Sequence, residues 1–228
     1  MKIFDIGYNK GEFTTASFDK FGDDTVIVAV EPNLALTSIH SDKENFTLIK
    51  KAVSSEVGEV SFYAAPFDNG CSTTSQEFME VSRFAVGSKN LPPKAVIWTP
   101  ASTIQSTTLD QLIEEYGVPE YIKIDVEGGE LDILKGLTQK TPEVFFEWHE
   151  EMPDVLYGCI EHLRELGYTQ FGVCGWFDEG DVFKKATFDE GGDSYLTFPE
   201  NYYSWEELEM EKLINKERRV NYGMIFAK

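Results

Sequence analysis

Acidic side chains at the end of one short apolar run carry the clearest chemical signal. The segment Tyr121-Ile122-Lys123-Ile124-Asp125-Val126-Glu127-Gly128-Gly129-Glu130 alternates apolar Ile122, Ile124 and Val126 with ionisable Lys123, Asp125 and Glu127. That period of two predicts a strand with one buried face, delivering carboxylates at its C-terminal end. Ligands of open α/β sheets sit outside such strand ends, and Gly128-Gly129 lets the backbone approach one closely. A second run, Val144-Phe145-Phe146-Glu147-Trp148-His149-Glu150, puts Glu147 and His149 on one face near its end. A histidine oriented by an acid is the usual general base near neutral pH, so His149 is a candidate to take a proton, with Asp125 as its rival. Other readings stay open: a hydrogen-bonded structural role for His149, a ligand-holding or loop-ordering role for Asp125, and helix capping by Glu127 and Glu130. Asp125, Glu147, His149 and Glu150 are also the donor types of a divalent-ion site. Their spacing supports no metal assignment.

A glycine-rich turn forms the second signal. Apolar residues up to Phe4 run into Asp5-Ile6-Gly7-Tyr8-Asn9-Lys10-Gly11-Glu12, after which Phe18 and Phe21 suggest a helix. The pattern is G-x-N-x-G rather than the dinucleotide fingerprint G-x-G-x-x-G. Asp5 and Glu12 add negative charge there, which disfavours a polyphosphate and suits a cationic ligand bearing a sulfonium and an amine. The next apolar run, Thr25 to Val30, ends in Glu31-Pro32, with Glu31 twenty residues beyond Gly11. At that spacing a nucleotide-binding α/β unit places an acid on ribose hydroxyls.

Asp5 to Gly11, Val30-Glu31-Pro32, Lys51-Ala52-Val53-Ser54 followed by Gly58, Thr108-Leu109-Asp110, and Ile122 to Glu130 stand in the order and spacing of a known family. Over roughly residues 1 to 150 the chain resembles FkbM-like S-adenosylmethionine-dependent methyltransferases. The resemblance implies a Rossmann-like, doubly wound, mostly parallel sheet of seven strands with an antiparallel last strand. It implies S-adenosylmethionine as cofactor, held by Asp5, Gly7, Asn9, Gly11, Glu31, Pro32, Val53, Asp125 and Glu127. It also makes the Asp125 and Glu147 strands neighbours, so that Asp125, Glu147 and His149 converge as catalytic residues. The reaction implied is O-methylation of a hydroxyl on a sugar, glycan or glycosylated metabolite. Alternatives are another small-molecule hydroxyl or carboxylate as acceptor, or a non-catalytic protein that binds the donor.

These residues need elements to hold them. Strands are expected near Lys2 to Ile6, Val26 to Val30, Thr47 to Ala52, Glu59 to Tyr63, Tyr121 to Asp125, Val144 to Trp148, Gln170 to Val173 and Tyr222 to Ala227. Helices fit Phe13 to Phe21, Leu109 to Tyr116, Glu130 to Gly136, Pro153 to Leu166 and Ser204 to Lys216, the last opened by the capping box Ser204-Trp205-Glu206-Glu207. Their alternation argues for an α/β fold with a doubly wound sheet in one domain over 1–228. Residues 66–107, rich in turn formers, and 175–203, rich in aromatic and acidic side chains, do not fit that sheet and are candidate substrate walls. Trp176, Tyr195 and Tyr202 are the candidate rings for stacking on a sugar face. The chain starts directly at its first strand, either as a minimal form or as a piece of a larger protein.

Bulk properties narrow the partners. Forty acidic against twenty basic residues give a net charge of −20, which opposes nucleic acid and anionic membrane surfaces. Cys71, Cys159 and Cys174 lack metal-ligand spacing and read as reduced thiols. No apolar run approaches ~18 residues and no signal-peptide core is present, so a soluble cytoplasmic protein is expected. The acceptor would be a carbohydrate or small molecule.

Overall fold

The computed structural model describes residues 1–85, 96–177, 199, 202–208 and 220–228, with backbone alone at 174–177 and 220–222. Short runs of β-branched and aromatic residues make its central layer. The main sheet contains β1 (Lys2–Ile6), β2 (Val26–Val30), β3 (Phe46–Ile49), β7 (Tyr121–Ile124), β8 (Glu143–His149), β9 (Phe171–Phe177) and β10 (Val220–Ala227). Their order is β3-β2-β1-β7-β8-β10-β9. Pairing is parallel from β3 through β8, while β10 runs antiparallel to both β8 and β9. The expected seven-stranded sheet with its antiparallel last strand is therefore present.

Alternation along each strand feeds two cores. Phe4, Val28, Ile122, Ile124 and Phe146 pack on one face, against Leu112 of α3 (Leu109–Tyr116), Leu134 of α4 (Glu130–Lys135) and Ile160 of α5 (Pro153–Glu165). Ile3, Ile27, Ala29, Phe145 and Phe226 pack on the other, against Phe13 and Phe18 of α1 (Glu12–Phe21). A sheet covered on both faces is what near-continuous apolar strands require. Thr108 caps α3 by accepting from Gln111 N (3.1 Å). The predicted capping box forms: Glu207 accepts from Ser204 N (3.0 Å), and Ser204 Oγ accepts from Glu207 N (3.2 Å).

Three expectations change. The strand at 47–52 is two strands: β3 ends at Ile49, and β4 (Ala52–Val53) joins a separate three-stranded sheet ordered β4-β6-β5. The strand near 59–63, β5 (Gly58–Phe62), belongs to that small sheet as well. The stretch 66–107 is not a bare connection, since it holds α2 (Gln76–Val81), capped by Ser75 Oγ accepting from Phe78 N (3.1 Å), and β6 (Ser102–Thr107). β6 reads Ser-Thr-Ile-Gln-Ser-Thr and is exposed over half of its length, so it lacks the apolar alternation that marks a strand. Residues 178–198, most of the second proposed wall, lie outside the described residues, as does the expected helix beyond α6 (Trp205–Leu208).

β7 departs from expectation in a way that matters for the site: it is buried on both faces, and Lys123 is only 3 % exposed. Register places Lys123 opposite Asp5 on β1. Its Nζ lies 3.2 Å from Asp5 Oδ1 and 3.5 Å from Asp125 Oδ2, and donates to Gly7 O at 2.7 Å. Removing one partner of a buried pair leaves an uncompensated charge, which is costlier than the pair is favourable. Lys123→Met should lower the unfolding free energy by about 3–5 kcal/mol in chemical denaturation. A loss below about 1 kcal/mol would mean that Asp5 is not charged in the folded chain.

Candidate active site

Parallel pairing of β1 with β7, Ile6 opposite Ile124, makes the turns after these two strands leave the sheet side by side. The first turn needs glycine at 7: φ is +84°, and an added Cβ would lie 1.9 Å from Asp125 O in the second turn. Gly7 N and Tyr8 N donate to Val30 O (3.0 and 3.1 Å), tying the turn to the end of β2. Asn9, at φ +48°, donates its N–H to Glu31 Oε2 (2.8 Å), while Asn33 N donates to Glu31 Oε1 (2.8 Å). Glu31 thus fastens the glycine turn to the end of β2. Burial raises its carboxyl above the ordinary range, opposed by those two amides, Lys50 and Lys123.

The second turn carries Glu127 at φ +60°, a left-handed backbone that a non-glycine residue adopts at a cost. Two side chains hold it there. Thr73 Oγ1 donates to Glu127 O (2.7 Å), and Glu130 Oε1 accepts from Val126 N and Gly128 N (both 3.2 Å). Glu130 is therefore a buried anchor for the loop that presents Glu127.

Between the turns lies a cavity of about 380 Å³. Gly7, Asn9, Glu31, Pro32 and Val53 line one side of it, and Asp125, Glu127, Glu147 and His149 the other. Residues 68–74 close it from the small-sheet side, so part of the proposed wall at 66–107 does face the cavity; Gly223, Met224 and Phe226 of β10 line it too. His149 Nε2 stands 3.2 Å from Glu147 Oε2 and 3.5 Å from Glu127 Oε2. The three ligand-type atoms lie within 4.8 Å of one another. Neither ring nitrogen of His149, nor either of those carboxylate oxygens, has a hydrogen-bond partner. Burial pushes the Glu127 carboxyl well above the usual range, helped by Glu147. Burial does the same to Glu147, helped by Asp125 and Glu130.

Several predicted site residues sit elsewhere. Asp5 is wholly buried behind the cavity wall, accepting from Thr14 Oγ1 (2.7 Å) and pairing with Lys123, so it orders the turn and does not line the cavity. Gly11 also stays behind the wall, shaping the start of α1, where a Cβ would strike Tyr8 Oη at 2.4 Å. Tyr202 is corrected away from the substrate: its hydroxyl donates to Glu143, at the opposite end of β8 from His149, and Lys228 Nζ lies over its ring. Trp176 is placed by backbone alone, in β9 opposite Tyr222, and Tyr195 lies outside the described residues. His40 and His162 are structural: His40 contacts Tyr8 Oη (2.8 Å) and Thr15 Oγ1 (3.0 Å), and His162 Nε2 lies 3.0 Å from Leu137 O. Cys71 and Cys159 are buried free thiols.

Sequence reading missed Lys123, Thr73 and Phe78, whose ring meets the His149 ring edge-on at 5.2 Å. A lysine alternating with isoleucines was a visible signal for the first. Nothing local marks the other two, which reach the site from more than fifty residues away.

A doubly wound sheet with an antiparallel strand inserted next to its edge, and a cavity at the carboxyl ends of its central strands, defines a methyltransferase-type α/β fold. Residues 5–169 match the Methyltransferase FkbM domain, and the chain belongs to that family. Among solved structures it is similar to precorrin-6y C5,15-methyltransferase from Geobacter metallireducens GS-15, with TM-score 0.40 and 12 % identity over 100 % of this chain and 80 % of that one. Comparison with curated proteins finds no match.

Because burial raises Glu130 above its ordinary 4.5, the folded chain holds that proton more tightly than the unfolded chain does. Its contribution to stability is full below about pH 4.5 and is lost as pH rises through the raised folded value. Glu130→Gln keeps an oxygen for the loop amides and removes the buried charge. Calorimetric melting should show the variant more stable than wild type at pH 8 and no more stable at pH 4. Equal shifts at both would mean that Glu130 titrates normally.

Proposed function

We propose that the chain is an S-adenosylmethionine-dependent O-methyltransferase that methylates a hydroxyl of a sugar, glycan or glycosylated small molecule. The observation that supports this most is that Gly7, Asn9, Glu31, Asp125, Glu127, Glu147 and His149, drawn from four strand ends, line one cavity. Its volume falls within the roughly 300–1,000 Å³ of small-molecule sites. Each Glu31 oxygen already accepts one amide N–H and keeps a second lone pair, so the carboxylate suits a ribose diol. The bare backbone at Gly7 leaves room for the remainder of the donor. When bound, S-adenosylmethionine supplies a methyl group activated by a sulfonium. The acidic cavity favours that cation, and it disfavours an anionic acceptor, which supports a hydroxyl over a carboxylate.

Methyl transfer needs alignment and removal of the hydroxyl proton. Asp125 is the fitting proton acceptor: it lines the cavity with part of its side chain exposed, and Lys123 Nζ at 3.5 Å fixes its direction. His149 is deeper, with Nε2 turned toward two carboxylates, and positions the acceptor rather than taking its proton. Asp68 and Asn69 on the 68–74 wall suit sugar hydroxyls. The net charge of −20 keeps nucleic acid outside this proposal. Among the described residues no helix is long and apolar enough to cross a membrane.

Calorimetry with S-adenosylhomocysteine tests the donor site. Glu31→Gln should weaken binding by about 1.5–3 kcal/mol, the range for hydrogen bonds to a charged group. Unchanged affinity would remove Glu31 from the donor site. Asp125→Asn should keep that affinity and lower kcat for a hydroxyl acceptor about 10²–10⁴-fold. A parallel fall in donor affinity would instead make Asp125 a donor ligand.

A further inference from the structure

The floor of the cavity holds three ligand-type atoms with no hydrogen bonds of their own. Glu127 Oε2, Glu147 Oε2 and His149 Nε2 are buried, unpartnered and turned toward one another. His149 is buried, its side chain 3 % exposed. Buried polar atoms are almost always paired, so three orphans facing one another ask for a missing partner. Ionised together, two carboxylates facing each other across an imidazole would also oppose like charges. A dication answers both conditions.

We propose that Glu127, Glu147 and His149 hold one first-row divalent cation of the Mn²⁺ to Zn²⁺ series. Metal–ligand bonds of about 2.0–2.2 Å place neighbouring ligand atoms about 3.0–3.5 Å apart. The observed separations from His149 Nε2 are 3.2 and 3.5 Å. One imidazole with two carboxylates matches borderline first-row ions better than Ca²⁺ or Mg²⁺, which take all-oxygen sets. The ligands are preset: Glu147 and His149 alternate on one strand, the Glu127 turn is pinned by Thr73 and Glu130, and Phe78 packs edge-on against the imidazole. Three protein ligands leave open coordination positions on the cavity side. If the methyl-transfer reading holds, the acceptor hydroxyl occupies one of them, which assigns His149 to the ion and leaves the proton to Asp125. That role rests on the proposed function; the site itself does not.

The test uses the full chain, stripped with a chelator, desalted, and kept at about 0.15 M salt so that diffuse binding to the acidic surface is screened. Mn²⁺ alone is titrated, and its free fraction is read by electron paramagnetic resonance. The expected result is one saturable site per chain, from which Zn²⁺ displaces Mn²⁺. Glu147→Gln and His149→Gln, both close in size to the native side chains, should each weaken it by at least about tenfold. Circular dichroism verifies that the variants fold. Asp24→Asn, at an exposed acid far from the cavity, should leave it unchanged. Absence of a saturable site in wild type, or equal affinity in folded Glu147→Gln and His149→Gln, overturns the proposal. Calorimetry with S-adenosylhomocysteine on the same stripped protein separates the two readings, because loss of donor binding counts against the methyltransferase and not against the ion.

Discussion

One buried ammonium group organises the centre of this protein. Lys123 sits in the middle strand, closed off from water, and its Nζ reaches Asp5 on the neighbouring strand, Asp125 in the following turn and the carbonyl of Gly7 in the other turn. A cation taken out of water is tolerated only where carboxylates and carbonyls replace its hydration. That requirement fixes three backbone segments against one another at the point where the sheet opens into the cavity. The glycine turn, the Asp125 turn and the strand register therefore share one constraint. Gly7 adds a steric lock, because its missing side chain admits Asp125 O to the same place.

Around this anchor the cavity divides by charge and by depth. On the glycine-turn side Glu31 is already engaged by two amides and offers its remaining lone pairs. On the β8 side Glu147, Glu127 and His149 lie deep, with His149 Nε2 facing both carboxyl groups, and burial holds both glutamates well above the usual carboxyl range. The Glu31 side is tied to the backbone around it, and the β8 side is where the proposed cation would sit.

Much of this was legible in the chain, for identifiable reasons. Strands β1, β2, β7 and β8 declare themselves because central parallel strands are short, apolar and followed by turn residues. The strand-end acids were visible because they break that apolar pattern at its boundary. What escaped was set by distance: Thr73 and Phe78 reach the site from a segment whose own strands are half exposed and polar, with no period to read. Tyr202 was misjudged because an aromatic, acidic composition says what a segment contains and not which end of the sheet it meets. Lys123 looked like the solvent face of a half-buried strand, and only pairing with β1 makes that face interior.

The antiparallel strand β10 has a consequence for how the cavity comes into being. It pairs Met224 with Glu147, 77 positions earlier in the chain, and contributes Gly223, Met224 and Phe226 to the cavity lining. During synthesis β8 emerges long before its partner, with Phe145 lacking the Phe226 ring that stacks on it at 4.7 Å. Contacts so distant along the chain form late and slow the search for the native state. Until β10 slots in, the β8 edge is an unpaired row of amides and carbonyls beside two buried-to-be glutamates, a segment that chaperones would have reason to shield. A ligand held in the finished cavity would then also report that the nascent polypeptide has closed its last long-range pairing.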